Sequence, residues 1–128
     1  MDSSPRAQFG LSESKLRNCA TVFRPDLFKG KAVVVSGAGS GLGRAIASLF
    51  ARLGASLAIC GRNEEKLNSA ADYLRGFGGD VLSGQLSIRD PEQVANFISA
   101  VGERFGRLDV LVNNAGGQFP QPALDYSV

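Results

Sequence analysis

The sequence predicts an α/β fold in which a doubly wound parallel sheet carries crossover helices on both faces. Three observations predict it. Apolar, partly β-branched runs recur at residues 33–35, 56–60, 80–86 and 108–113, and such side chains suit strands covered on both sides. Between them lie three segments whose apolar residues repeat at helical spacing. Strand and helix alternate throughout, which implies parallel strands joined by right-handed crossovers.

In chain order, residues 1–19 are rich in serine and charge without a sustained period and read as a loose arm, with a short helix around residues 12–18. Pro25, Asp26 and Gly30 supply turn chemistry that delivers the chain into the first strand. The helix after that strand should bury Leu42, Ala45, Ile46, Leu49, Phe50 and Leu53, with Gly54 as its C-terminal cap. Asn63 is the expected N-cap of the second helix, with Glu64 and Glu65 in its first turn. Its stripe is Leu67, Ala70, Ala71 and Leu74, and Gly76-Phe77-Gly78-Gly79 ends it. Asp90-Pro91-Glu92-Gln93 combines a cap, a proline at the first helical position and a glutamine three residues after the cap. Val94, Phe97, Ile98, Val101 and Phe105 form that third stripe, and Gly106 closes it. The expected strand order is 3-2-1-4, with the outer side of Val110-Leu111-Val112 unpaired.

A chain of 128 residues that is 44% hydrophobic suffices for one small domain with one core. Fourteen basic against twelve acidic residues leave a net charge of +2, too small to argue for nucleic acid. Cys19 and Cys60 are far apart and form no CxxC, so a reducing compartment, the cytoplasm, is expected. Histidine is absent, which removes His-based nucleophiles and metal clusters. Residues 1–10 are polar, so no secretory signal is expected, and no apolar run is long enough to span a membrane.

The stretch Val33-Val34-Val35-Ser36-Gly37-Ala38-Gly39-Ser40-Gly41-Leu42-Gly43 passes from strand through glycines into a helix. Glycines there let backbone N–H groups approach a ligand, and a helix N-terminus favours an anion. The stretch reads as a phosphate cradle, beside the plainer reading of an ordinary strand-to-helix connection. GxxxxGK[ST] is absent, and GxGxxG fails because Leu42 and Arg44 stand where it needs glycine. GxxxGxG fits at Gly37, Gly41 and Gly43, after the hydroxyl residue Ser36. A second signature, Leu111-Val112-Asn113-Asn114-Ala115-Gly116, follows the fourth strand.

Together these segments resemble the short-chain dehydrogenase/reductase family, in which TGxxxGxG holds the pyrophosphate of a nicotinamide cofactor and NNAG steadies the sheet and lines the nicotinamide ribose. Ser36 stands where threonine is usual. The resemblance implies a Rossmann-type fold, incomplete over these residues, which would hold its first four strands and three crossover helices. Residues 1–30 would be an arm and lead-in, and residues 31–128 the N-terminal part of a dinucleotide-binding domain. Cofactor contacts are expected at Ser36, Gly37, Ser40, Gly41, Leu42, Gly43, Asn114, Ala115 and Gly116.

Cofactor choice turns on Cys60-Gly61-Arg62-Asn63 at the end of the second strand. Glycine occupies the place of the acid that would bind the ribose 2′-hydroxyl of NAD, and Arg62 can meet a 2′-phosphate, so NADP is expected over NAD. The alternative is that Arg62 is a solvated turn residue covering the adenine. Ser87, where the family commonly has Asp or Asn, and the backbone of Ile88 are the expected adenine contacts.

The family's hydride transfer uses a serine and a YxxxK pair. Tyr73 is followed four residues on by Phe77, Tyr126 lies two residues from Val128, and no lysine follows Lys66. No catalytic residue is therefore assigned, and these residues are expected to be the cofactor half of an enzyme. The tail from Gly117 to Leu124 opens the substrate side, and the NNAGGQF form of Asn113 to Phe119 resembles the enoyl- and dienoyl-CoA reductase branch and the citronellol-type dehydrogenases. The expected partner is a small apolar substrate, an acyl-CoA or a terpenoid or lipid alcohol, and the complete enzyme is expected to be a homo-oligomer. The other reading is a non-catalytic dinucleotide-binding module complete at 128 residues.

Overall fold

A computed structural model describes residues 11–116. Strand β1 (Ala32–Ser36) pairs in parallel with β2 (Ser56–Gly61) on one side and β4 (Val110–Val112) on the other. Strand β3 (Val81–Gln85) pairs with β2, giving the order β3-β2-β1-β4. Helix α1 (Glu13–Asn18) precedes the sheet, and α2 (Gly41–Arg52), α3 (Glu64–Arg75) and α4 (Pro91–Phe105) cross between successive strands. Among the described residues β4 has no neighbour beyond β1, and Leu111 is 51% exposed.

Alternation along the strands divides the core in two. Val33, Val35, Leu57, Ile59 and Val81 meet α2 and α3, while Val34, Ala58 and Cys60 meet Phe97 and Val101 of α4. The stripe expected of α3 is buried at all four positions, Leu67, Ala70, Ala71 and Leu74. Its cap forms as expected: the Asn63 side chain accepts from Lys66 N at 2.9 Å. In α4 the Asp90 carboxylate accepts from the amides of Glu92 and Gln93, and Gly106 ends the helix in the left-handed region.

Helix α2 corrects the expected stripe. Its most buried residues are Gly43, Ala47, Ser48 and Ala51, whereas Leu42 is 78% exposed. Gly43, Ala47 and Ala51 are four apart and present one line of small residues to the sheet, so the helix lies close and the larger Ile46, Leu49 and Phe50 flank the contact half-buried. The Ser48 hydroxyl is satisfied inside the helix, donating to Arg44 O at 2.7 Å.

Strand β4 is shorter than expected because side chains take over at both ends. The Asp109 carboxylate accepts from Ala32 N at 2.9 Å, and beyond Val112 the ladder gives way to bonds made by Ser36 and Asn114. The stretch read as a loose arm is tied down over residues 13–19. Arg52 donates to Leu16 O and Cys19 O, Arg17 to Gly76 O, and the Tyr73 hydroxyl to Glu13 O. These anchors belong to α2, α3 and the turn after α3, so the arm's own composition did not disclose them.

Candidate cofactor site

The site lies at the carboxyl ends of the strands, where a doubly wound sheet places its ligands. Ser36, the last residue of β1, is buried, and its hydroxyl joins two loops. It donates to Val112 O at 3.3 Å and accepts from the amides of Asn114 and Ala115, both at 3.0 Å. Asn114 reciprocates, its Nδ2 donating to Ser36 O at 3.1 Å and Gly37 O at 3.2 Å. Behind them Gly37 N donates to Cys60 O at 2.8 Å, which seats the glycine loop on β2. Burial pushes the Cys60 thiol above its ordinary value, so it stays protonated beneath the loop.

Two glycines are required by this closeness. A Cβ on Gly43 would stand 2.2 Å from Gly37 O and 2.4 Å from Asn114 Nδ2. Gly37, at a φ of +69°, would bring a Cβ to 3.0 Å from both Ala115 Cα and Asn114 Nδ2. The first turn of α2 is thereby pressed onto the loop after β4.

The start of α2 fits an anion. The Ser40 side chain makes no capping bond, and the first turn holds no acidic residue. The other three described helices each have a side-chain cap and at least one acid in the first turn. Free amides and the positive end of the helix dipole are thus left facing outward at α2 alone among them. A dinucleotide's diphosphate matches this chemistry, and Gly41, Leu42 and Gly43 would carry the amides that hold it.

A cleft of about 460 Å³ opens beside this helix start, lined by Gly37, Gly39, Ser40, Arg62, Asn63 and Lys66 with neighbours from β2 and α3. Arg62 and Lys66 bring two cations into it, and neither forms an ion pair among the described residues. No acidic side chain lines it. Arg62 also borders a second cleft, formed with Gln85, Leu86, Ser87 and Gln93. There Ser87 N donates to Gln93 Oε1 at 3.0 Å, and Ser87 Oγ accepts from Arg89 N at 3.3 Å, leaving its O–H free to donate.

All the expected residues but Ile88 thus fall into three groups. Gly37, Ser40, Arg62 and Ser87 line the clefts, while Gly41, Leu42 and Gly43 carry the amides beside them. Ser36, Asn114 and Ala115 are struts that join the two loops, with Gly116 following exposed at a φ of +149°. Ile88 is 48% exposed and lines neither cleft. Sequence reasoning missed Lys66, whose Cβ sits against Gly39; its signal was the place three residues after the Asn63 cap. The tail of residues 117–124 lies outside the described residues. Among the described residues no group of His, Cys, Asp and Glu could hold a metal, and no helix is long and apolar enough to cross a membrane.

A four-strand parallel Rossmann-type sheet, a glycine turn opening its first crossover helix and an NNAG loop bonded to that turn define a nucleotide-binding α/β class. Residues 31–128 match the model of the short chain dehydrogenases, and the chain belongs to that family. A peroxisomal 2,4-dienoyl-CoA reductase of Arabidopsis thaliana is 38% identical over 105 residues, covering 82% of this chain and 35% of that protein. L-Sorbose reductase from Gluconobacter frateurii, solved with NADPH and L-sorbose, is 34% identical with a TM-score of 0.73, covering 81% of this chain and 40% of that one. A citronellol catabolism dehydrogenase from Pseudomonas aeruginosa is 38% identical with a TM-score of 0.72, covering 84% and 44%. A family member from Burkholderia phymatum, solved with NAD, is 39% identical with a TM-score of 0.68, covering 70% and 32%. The chain spans about a third of the length of the curated relatives it matches.

Proposed function

We propose that residues 31–128 form the dinucleotide-binding part of an oxidoreductase that moves hydride between NADP(H) and an apolar alcohol, carbonyl or enoyl thioester. One observation carries the reading: the uncapped, acid-free start of α2 shares its cleft with Arg62 and Lys66. Amides at that helix start would hold the diphosphate, and the two cations would meet a 2′-phosphate. Solved relatives carry NADPH in one case and NAD in another, so the preference rests on this chain's own cations and on Gly61 standing where an acid would favour NAD. The bound nicotinamide supplies the hydride chemistry. This sequence holds no YxxxK, so these residues are assigned binding and orientation only.

An apolar substrate is supported by relatives named for dienoyl-CoA reduction and citronellol catabolism. The free thiols Cys19 and Cys60 suit a reducing compartment such as the cytoplasm, while the Arabidopsis relative is named peroxisomal. Calorimetry on the full-length protein tests the cofactor assignment. NADPH should bind about ten- to a hundredfold more tightly than NADH, and joint Arg62→Ala and Lys66→Ala substitution should bring the two affinities together. A ratio untouched by both substitutions, or a folded protein that binds neither dinucleotide, overturns it.

A further inference from the structure

We propose that the segment carrying α1 is a clasp on the phosphate-facing end of α2, with Glu13 as a positioning residue acting through Arg44. The inference rests on the reading that this helix end receives the diphosphate. The first turn of α2 is Gly-Leu-Gly, weak by propensity, uncapped by Ser40, with the Leu42 side chain bare. Arg44 N closes that turn with a long bond of 3.4 Å to Ser40 O. Whatever fixes Arg44 therefore fixes the turn whose amides face outward.

Two contacts fix it from outside the helix. The Arg44 guanidinium pairs with the Glu13 carboxylate and lies 4.8 Å from the centre of the Tyr73 ring. The Tyr73 hydroxyl donates to Glu13 O at 3.2 Å, so acid and ring are held to one another. Glu13 is itself presented by a segment anchored independently of Arg44. Arg52 at the far end of α2 holds Leu16 O at 3.1 Å and Cys19 O at 2.8 Å, and Arg17 sits 4.4 Å from the Phe77 ring centre while donating to Gly76 O. The carboxylate thus arrives on a prepared mount, and the guanidinium it captures follows directly after Gly43 in the chain.

Glu13→Ala in the full-length protein tests this with two readouts. Without cofactor, amide exchange in a peptide covering residues 42–48 should accelerate several-fold. The Kd for NADPH should weaken by up to about fivefold, the scale of the partly exposed ion pair that the substitution removes. Glu13→Gln, which keeps an acceptor, should recover part of both losses. An unchanged Kd overturns the clasp, as does wild-type exchange over residues 42–48 when residues 13–19 have been freed. If the wild-type protein binds no dinucleotide the proposed function fails instead, and the exchange measurement alone decides the clasp.

Discussion

Gly43→Ala sets two effects against each other in a single methyl group. Gly43 lies inside α2 and is not among the glycines with positive φ, so helix propensity alone predicts a gain of about 1 kcal/mol. The added methyl would stand 2.2 Å from Gly37 O and 2.8 Å from Gly37 C, backbone atoms with no rotamer to escape into. The helix start must lift by about 1 Å to restore ordinary contact, which strains the turn and parts Asn114 Nδ2 from the carbonyls of Ser36 and Gly37. Overpacking costs about 1–3 kcal/mol and the two hydrogen bonds about 1 kcal/mol each. After the propensity gain is subtracted, the net expectation is a loss of about 2–4 kcal/mol. Urea unfolding of the full-length variant reads this directly, and its dinucleotide Kd should weaken by at least about tenfold. Adding Asn114→Ala should not rescue it, since the nearest clash is with backbone. A Gly43→Ala protein at least as stable as wild type refutes the close-approach reasoning.

Other sites give expectations of different kinds. The paired Arg107 guanidinium, with the amide of Ala32, lowers the Asp109 carboxyl to about 2. Its stabilising effect is complete above the ordinary carboxylate value of about 4 and is lost as pH falls through the folded value; Asp109→Asn should flatten acid unfolding in that window, and an unaltered slope there would count against the pairing. Gly84→Ala would place a Cβ 2.6 Å from Phe97 Cδ2, so a loss of about 1–3 kcal/mol is expected, reversed in part by Phe97→Leu because the obstacle is a side chain. Ser36→Ala leaves the amide of Ala115 without its acceptor and should cost about 1–3 kcal/mol in thermal or urea unfolding, whereas a variant within error of wild type would show the hydroxyl bridge to be dispensable.

The parts of this fold that could be read in advance are those encoded locally. Helix α3 announces itself through Asn63, Glu64 and Glu65 and buries the four residues its spacing marks; Asp90-Pro91 announces α4, of whose expected stripe Phe97 and Val101 are buried while Val94, Ile98 and Phe105 are half-buried. Leu42 misled because periodicity weighs hydrophobicity, whereas the Gly43, Ala47 and Ala51 line is chosen for size. Lys66 drew no reading as a site residue, because its place in the cleft depends on the first turn of α3 coming to rest against Gly39. The segment carrying α1 looked unattached because its partners Arg44, Arg52 and Tyr73 belong to other elements. Ser36 and Asn114 were legible as site residues through family resemblance; their bonds to each other's loops required the register of β1 against β4.

That bridge spans 78 residues of sequence, and entropy makes the joining of such distant segments one of the slower events available to a chain. While the polypeptide is being synthesised, β1, β2 and β3 emerge before β4 can dock. Until it does, the glycine turn lacks the partners that hold it in shape. Nucleotide capture would therefore favour molecules whose fourth strand is home, drawing nascent chains toward the assembled sheet by mass action.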